Sequence, residues 1–315
     1  IMRYLILDKR QRITQEKIAS ADIRIMEELN KKNIPHTLAY FDELEFEFID
    51  GETVIKVKGE DIRKYSHIIF RGHDLHNESQ YQLKRYIVEY TDQHNINNPE
   101  NKILVQNSKT IKKLPYYNKI ALAMFCSQYN IPYFNSYYRT DGNYLAPRDI
   151  LNSYPLILKS CTGENRIEEI NGKELIKKNI FKIDTPDDFK KDNIKNLDLS
   201  NMFIQELSDS DTDMRVFVKK GEIIGGWKRR KDKSFMTVSK GIYSMYNNPD
   251  EEIKNFVQNV TRILEADFIA VDIMEMHGKP LLQEISLHPG FKAYETKIKG
   301  EPVNIAEAII TAFSD

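Results

Sequence analysis

Apolar residues open the chain as a run, MRYLILD at residues 2–8, and then recur at helical spacing at Ile18, Ile23, Ile25, Met26 and Leu29. The run predicts a buried strand and the spacing a helix over 15–33. HTLAYF (36–41) predicts a second strand. FEFIDGETVIKVKG (46–59) alternates apolar and polar residues on both sides of Asp50–Gly51, the pattern of a β-hairpin that turns at those two residues. HIIFRG (67–72) predicts another buried strand and 79–93 another helix. Strand–helix–strand order with short links implies an α/β layer up to about residue 105.

The pattern then changes. Within LPYYNKIALAMFCSQYNIPYFNSYY (114–138), residues 118–129 predict a helix and Ile131–Pro132 the start of a strand. YPLILKSCTGENRIEEI (154–170) predicts a strand, a glycine-containing loop and a second strand. MFIQEL (202–207) and MRVFVKKGEIIGGWKRR (214–230) predict further strands, the latter a hairpin turning at Lys220–Gly221. Helices are expected near 184–192 and 249–265. The second half therefore reads as α+β with antiparallel sheet. The polar stretch KIDTPDDFKKDNIKNLDLSN (182–201) reads as a helix-bearing connection, and no repeat or low-complexity tract is visible.

Composition narrows the classes. At 315 residues the chain has room for two or three domains, and 41% hydrophobic residues support real cores. Charged residues make up 30%, but the formal net charge is -1, so global charge argues for neither nucleic acid nor an anionic membrane as partner. Cys126 and Cys161 lie far apart and outside any CxxC spacing, which speaks against a disulfide framework or a zinc site. With no apolar run long enough to span a bilayer and no signal-peptide pattern, a reducing cytoplasm is the expected compartment.

The chemistry concentrates in VDIMEMHGKPLLQEISLHPG (271–290), which sets Asp272 in one apolar run and Glu284 in another. Taking Gly278 as the turn centre puts 272 opposite 284, and opposed residues share a face with Cβ atoms roughly 4.5–5.5 Å apart. Period-two alternation keeps Ser286 on that face, opposite Ala270. Like charges so placed need neutralising, and oxygen donors on stiff strands suit Mg²⁺. The plain alternative is that one acid pairs with a nearby Arg or Lys, or that the register is shifted by one and the acid faces solvent. There is no Walker A motif and no GxGxxG after a strand. Two lysines are placed to meet phosphate: Lys159, ending the strand before Gly163, and Lys119, in the first turn of a helix. In DTDMRVFVKKGEIIGGWKRR (211–230) the turn makes Arg229 or Arg230 a neighbour of Asp213 or Arg215, a cationic end able to clamp a carboxylate or a transferring phosphoryl group. For each of these the plain alternative is a solvated charge.

In their order and gaps, LPYYNKIALAMFCSQYNIPY, YPLILKSCTG, MFIQELSDSDTDMRVFVKKGEIIGGWKRR, ADFIAVDIMEMHGKPLLQEISLHPGF and YETKIKGEPVNIAEAII resemble the ATP-grasp superfamily, and their spacing is similar to that of RimK-type glutamate ligases. The resemblance implies an α/β N-terminal domain (1–107) followed by an α+β ATP-grasp fold, with a central subdomain (108–200) and a C-terminal subdomain (201–315) gripping ATP. Lys119 and Lys159 look like its phosphate-contacting lysines. Gln205, Glu206 and Leu207 look like the hinge that reads adenine, and Asp213 resembles the residue at the ribose. Arg215, Arg229 and Arg230 are similar to the basic residues near the transferred phosphoryl and the acyl substrate. Asp272 and Glu284, with Ser286, look like the Mg²⁺ ligands. The implied reaction is ligation: a carboxylate takes the γ-phosphoryl of ATP, and an amine displaces phosphate from the acyl phosphate.

Two stretches depart from that pattern. The family's Glu-x-Asn is here Glu284-Ile285-Ser286, and its Arg-x-Asn after the basic hairpin is here SFMTVSKG, where Thr237, Ser239 or Lys240 would have to substitute. These changes bear on the second metal position and on γ-phosphate contact. The expected activity is thus an ATP- and Mg²⁺-dependent carboxylate–amine ligase acting on small-molecule or peptide substrates. The alternatives are a nucleotide- or peptide-binding protein with little turnover and a graspetide-type macrocyclising ligase. Arg71 in RGHDLH ends a strand where α/β sheets bind ligands, which suggests a substrate-side role; an HxxH pair, His73 and His76, does not by itself make a zinc site. Trp227 reads as packing.

Overall fold

The computed structural model describes residues 2–10, 18–72, 78–114, 116–145, 154–163, 165–170, 173–231 and 241–314. The opening run forms β1 (Tyr4–Asp8), all five residues buried. α1 (Ser20–Lys31) carries the chain to β2 (His36–Tyr40). The expected hairpin is β3 (Leu44–Ile49) and β4 (Glu52–Val57), which with β5 (Glu60–Asp61) forms a separate three-stranded sheet. β6 (His67–Phe70), α2 (Glu78–Asn97) and β7 (Leu104–Val105) complete a four-stranded sheet of order β2-β1-β6-β7. All its pairings are parallel, and a central strand covered on both faces is a continuous apolar run rather than an alternating one.

α3 (Ser108–Lys113) and α4 (Lys119–Gln128) come next. Asn118 caps α4, its side chain accepting from the Ala121 N–H at 2.8 Å. β8 (Ser136–Tyr138), β9 (Leu156–Ser160), the ribbon β10 (Asn165–Ile170) and β11 (Lys173–Lys178), β12 (Ile180–Ile183), α5 (Asp192–Lys195) and β13 (Met202–Glu206) follow. An antiparallel sheet of order β12-β9-β13-β8 results. One face packs Leu156, Leu158, Phe181, Met202 and Ile204 on Phe189 and Ile194 as a core of its own. The expected helix at 184–192 is instead a 3-10 turn, Pro186–Lys190, followed by the single turn of α5. Lys191 between them is extended, and only Asp188, Phe189 and Ile194 of these two turns are buried, too narrow an apolar stripe to hold a longer helix.

The remainder is a five-stranded antiparallel sheet formed by β14 (Thr212–Lys219), β15 (Glu222–Lys231), β16 (Gly241–Met245), β17 (Phe268–Met276) and β18 (Lys279–Ser286) in the order β16-β15-β14-β17-β18. α6 (Glu251–Leu264) precedes β17, and α7 (Lys292–Thr296) and α8 (Ile305–Ile310) close the chain. Val257, Val260 and Leu264 of α6 cover one face of the sheet, packing with Met214, Val216, Val271 and Ile273. That core continues through Ile111 and Phe125 to Leu5, Ile68 and Phe70 of the N-terminal layer. On the opposite face Phe217 and Ala270 join Phe291, Tyr294, Tyr4 and Ile309 in a second core. Further along that face the side chains become charged. Among the described residues no helix is long and apolar enough to cross a membrane.

Candidate active site

The charged face is organised in rows across the strands. One row runs Trp227, Arg215, Asp272, Glu284 from β15 to β18. The next runs Tyr243, Arg229, Asp213, Met274 from β16 to β17. Arg215 grips Asp272 with both ends of its fork, Nε to Oδ1 at 2.6 Å and Nη2 to Oδ2 at 2.7 Å. Burial works against the Arg215 charge, but the Asp272 carboxylate more than reverses it, so the guanidinium pKa lies above its usual value. Arg229 grips Asp213 in the same way, with Nε to Oδ1 at 2.9 Å and Nη2 on Oδ2. Lys119 Nζ donates to Glu284 Oε2 at 2.9 Å. The pairing of each acid with a cation, left open by the sequence, is therefore what the chain adopts.

Both hairpins reach this arrangement by the same device. Each turns on two residues with positive φ, Lys220–Gly221 (48° and 85°) and His277–Gly278 (52° and 71°), as a tight two-residue hairpin requires. Each ladder then shifts by one residue, between Phe217 and Val218 on β14 and between Asp272 and Ile273 on β17. The bulges leave Ile224 and Gln283 without partners, so Arg229 faces Asp213 and Glu284 faces Asp272. Ser286 pairs with Ala270 on the same face, as expected. Arg230 pairs with Thr212 and Ile242 one position along, which turns it to the opposite face, where it is exposed. It does not join the cluster.

The four-stranded sheet contributes its other face. Lys159, 7% exposed, lies opposite Phe203 with Nζ 5.4 Å from the ring centroid. Gln205, on the same face, donates from Nε2 to Ser136 Oγ at 2.7 Å. Glu206 turns away; its carboxylate accepts from the Asn135 backbone N–H and Nδ2. Leu207 follows β13, half-buried. Lys119 spans the two sheets, because its N–H donates to the Cys161 carbonyl just after β9 while its ammonium reaches β18.

Three features had not been singled out in the sequence. Tyr133 bridges to Leu282 beside Glu284, and burial together with nearby charge pushes its phenol well above the usual range. Asn107, fully buried and at φ 59°, donates from Nδ2 to the Phe268 and Leu287 carbonyls, at 2.7 and 3.0 Å. Its Oδ1 accepts from the Asp267 and Phe268 N–H groups, so it ties the two arms of the acidic hairpin together at their open end. The third is the Gln283 bulge, visible as two adjacent polar residues, Gln283 and Glu284, between buried Leu282 and Ile285. Arg71 is 5% exposed, at the end of β6, and belongs to a separate cluster. His73, His76, Thr237, Ser239 and Lys240 lie outside the described residues.

The sequence model of the RimK-like ATP-grasp domain matches residues 146–313, more than half of the chain. The chain belongs to the RimK-like ATP-grasp family. A RimK-like ATP-grasp protein is an ATP-dependent ligase that forms C–N bonds, and this chain is an enzyme of that class. Its fold is shared with solved ligases at low identity. The RiPP-associated ATP-grasp ligase of Chryseobacterium gregarium, in complex with ADP and a leader and core peptide, matches with a TM-score of 0.63 and 13% identity over 98% of this chain and 95% of that one. The macrocyclase MdnC of Microcystis aeruginosa MRC, bound with its precursor peptide MdnA, matches at 0.63 and 12% over 98% of each. D-alanine–D-alanine ligase of Bacillus anthracis matches at 0.60 and 11% over 99% and 97%. Among curated proteins no sequence matches the chain.

Proposed function

We propose that this RimK-like ATP-grasp chain activates a carboxylate with ATP and Mg²⁺ and transfers the resulting acyl group from its acyl phosphate to an amine. The observation that carries the reading is the row Lys119, Glu284, Asp272, Arg215, with charges plus, minus, minus, plus. Two carboxylates side by side repel each other, and here each is held by a cation on its outer flank. Asp272, Glu284 and the Ser286 hydroxyl on the same face are hard oxygen donors, a set that fits a divalent cation and not a soft one. When bound, Mg²⁺ supplies neutralisation of phosphate charge and polarisation of the transferred phosphoryl group.

The chain's own residues do the positioning. Lys119 and Lys159 meet the phosphates, Gln205 to Leu207 meet the adenine edge, and Asp213 meets the ribose. Arg215 and Arg229 orient the acyl phosphate by charge, which is most of what catalysis of phosphoryl transfer requires of a protein. Arg230 has no part in this, because its strand register turns it outward. Residues 1–107 carry substrate choice, and 108–200 and 201–315 grip the nucleotide. A second reading joins acyl donor and amine within one peptide; it is favoured by the near full-length match to ligases solved with precursor peptides.

The test supplies Mg²⁺ and ATP with pools of amino acids and peptides and measures phosphate release, with hydroxylamine present to trap acyl phosphate as hydroxamate. Release and hydroxamate that both require an added carboxylate are expected. ATP binding without turnover across all pools would overturn the ligation reading.

A further inference from the structure

The row Lys119, Glu284, Asp272, Arg215 is held unevenly at its two ends. Asp272 receives two N–H donors from the Arg215 fork, at 2.6 and 2.7 Å. Glu284 receives one from Lys119, at 2.9 Å to Oε2. A fork fixed at two points is rigid, whereas an ammonium on a four-carbon stem changes acceptor by rotation about its own bonds. The backbone of Lys119 is fixed. It opens α4 behind the Asn118 cap, and its N–H donates to the Cys161 carbonyl at 2.9 Å. The ammonium of Lys119 is therefore the movable end of the row, and Arg215 the fixed one.

Charge decides what can move it. Two cations face two carboxylates, so the row is neutral as it stands, and the next row, Arg229 on Asp213, is neutral too. Lys159 brings another cation on the facing sheet. The Lys119 side chain is 9% exposed, too deep to give up its carboxylate without a replacement. A divalent cation that took Glu284 alone would leave that ammonium buried, without a partner and beside the metal's own charge. A nucleotide phosphate that took Lys119 alone would leave Glu284 and Asp272 side by side against a polyanion, with only Arg215 left in the row. Together, each supplies what the other removes: phosphate accepts from Lys119, and the metal neutralises Glu284.

We propose that Lys119 is a latch: its ammonium stands in for the metal on Glu284 until nucleotide phosphate draws it away, so that metal and nucleotide bind cooperatively and each binds poorly alone. The proposal deepens the ligase reading and rests on it for the identity of the two ligands, though not for turnover. Lys119 then has two acceptors, Glu284 in the chain alone and phosphate in the complex. Glu284 in turn is a brake on nucleotide binding without metal, beyond the plain repulsion between two negative groups. By linkage the coupling is mutual, so either ligand alone reports it.

The test is equilibrium binding, with no turnover. Mn²⁺, which suits the same oxygen donors as Mg²⁺ and is read by electron paramagnetic resonance, is titrated into protein free of nucleotide. ADP is titrated separately in EDTA and read by calorimetry. Wild type, Lys119→Met, Glu284→Gln and the double variant are compared, and Lys119→Gln is carried through both arms as a second way of removing the ammonium. Lys119→Met is expected to bind Mn²⁺ about ten-fold or more tightly than wild type, a gain that adding Glu284→Gln abolishes. Glu284→Gln is expected to bind metal-free ADP about ten-fold or more tightly than wild type, a gain that falls to about three-fold or less in the Lys119→Met background. Mn²⁺ binding no tighter in either Lys119 variant than in wild type, or an ADP gain that is the same in both backgrounds, would overturn the latch. Failure of the ligase reading is distinct, because wild type would then form no hydroxamate with any carboxylate, whatever these affinities.

Discussion

Asp272 faces Glu284 because Gln283 is extruded between Glu284 and the turn. From the His277–Gly278 turn the ladder pairs Met276 with Lys279 and proceeds regularly to Ile273 with Leu282. Continued without a bulge, it would set Gln283 opposite Asp272 and turn Glu284 toward the apolar face under α6. The local twist that a bulge adds also falls beside the two acids, at the sheet edge that α4 approaches through Lys119.

Glu284→Gln is the sharpest test of the acid pair. It keeps the shape, removes one of two negative donors and leaves Lys119 Nζ without its carboxylate. Turnover at saturating ATP is expected to fall by about 100-fold, and the Mg²⁺ concentration for half activity to rise about ten-fold or more. Phosphate release measured across a Mg²⁺ titration reads both. An unchanged rate would discard Glu284 as a ligand.

The sequence showed the pair of acids but not how they come to face each other. Counting six residues each way from Gly278 reaches Asp272 and Glu284, yet the turn is centred between His277 and Gly278, and the bulge supplies the missing residue. In the basic hairpin the same offset decides between Arg229 and Arg230, which the sequence had left open, because the Ile224 bulge is what turns Arg229 toward Asp213. Parallel strands such as β1 were legible from their unbroken apolar runs, and α6 from its spacing. The Asn107 clasp was not, because its four hydrogen bonds join residues about 160 to 180 positions away and leave no local pattern.

Asn107 should be costly to replace. All four hydrogen-bonding positions of its amide are used, and its left-handed backbone suits asparagine. Asn107→Ala leaves two carbonyls and two N–H groups unpaired in the interior, a loss of about 3 kcal/mol or more. Urea denaturation reads the loss. Amide exchange at Phe268 and Asp267 should accelerate in step; slow exchange in a destabilised variant would show the cost to be backbone strain alone.

The Arg215–Asp272 fork is expected to show strong coupling. Arg215→Met alone leaves Asp272 without its cation, at a cost of about 2 kcal/mol, discounted from a fully buried pair because the side chains are 24% and 16% exposed. Arg215→Met with Asp272→Asn should recover at least half of that loss. The double-mutant cycle is read by urea denaturation. Additive losses would mean that the fork contributes no net stability.

Stability should also depend on pH through Asp22. Its carboxyl is raised from 3.8 to about 8 in the folded chain, first by burial and then by Asp8, with Arg71 opposing; Tyr40, at the end of β2, feels the same charges. Between these two values the unfolded chain has released a proton that the folded chain keeps. Stability from the neutral acid is therefore complete below pH 4, declines as pH rises and is lost once pH passes about 8. The decline is at most about 1.4 kcal/mol per pH unit for one proton. Asp22→Asn has no such proton, so its stability relative to wild type should climb between pH 5 and 8 and then level off. Unfolding curves for the two proteins at matched pH values measure that difference. Parallel profiles across the window would mean that Asp22 is already ionised in the fold, beside the Arg71 guanidinium.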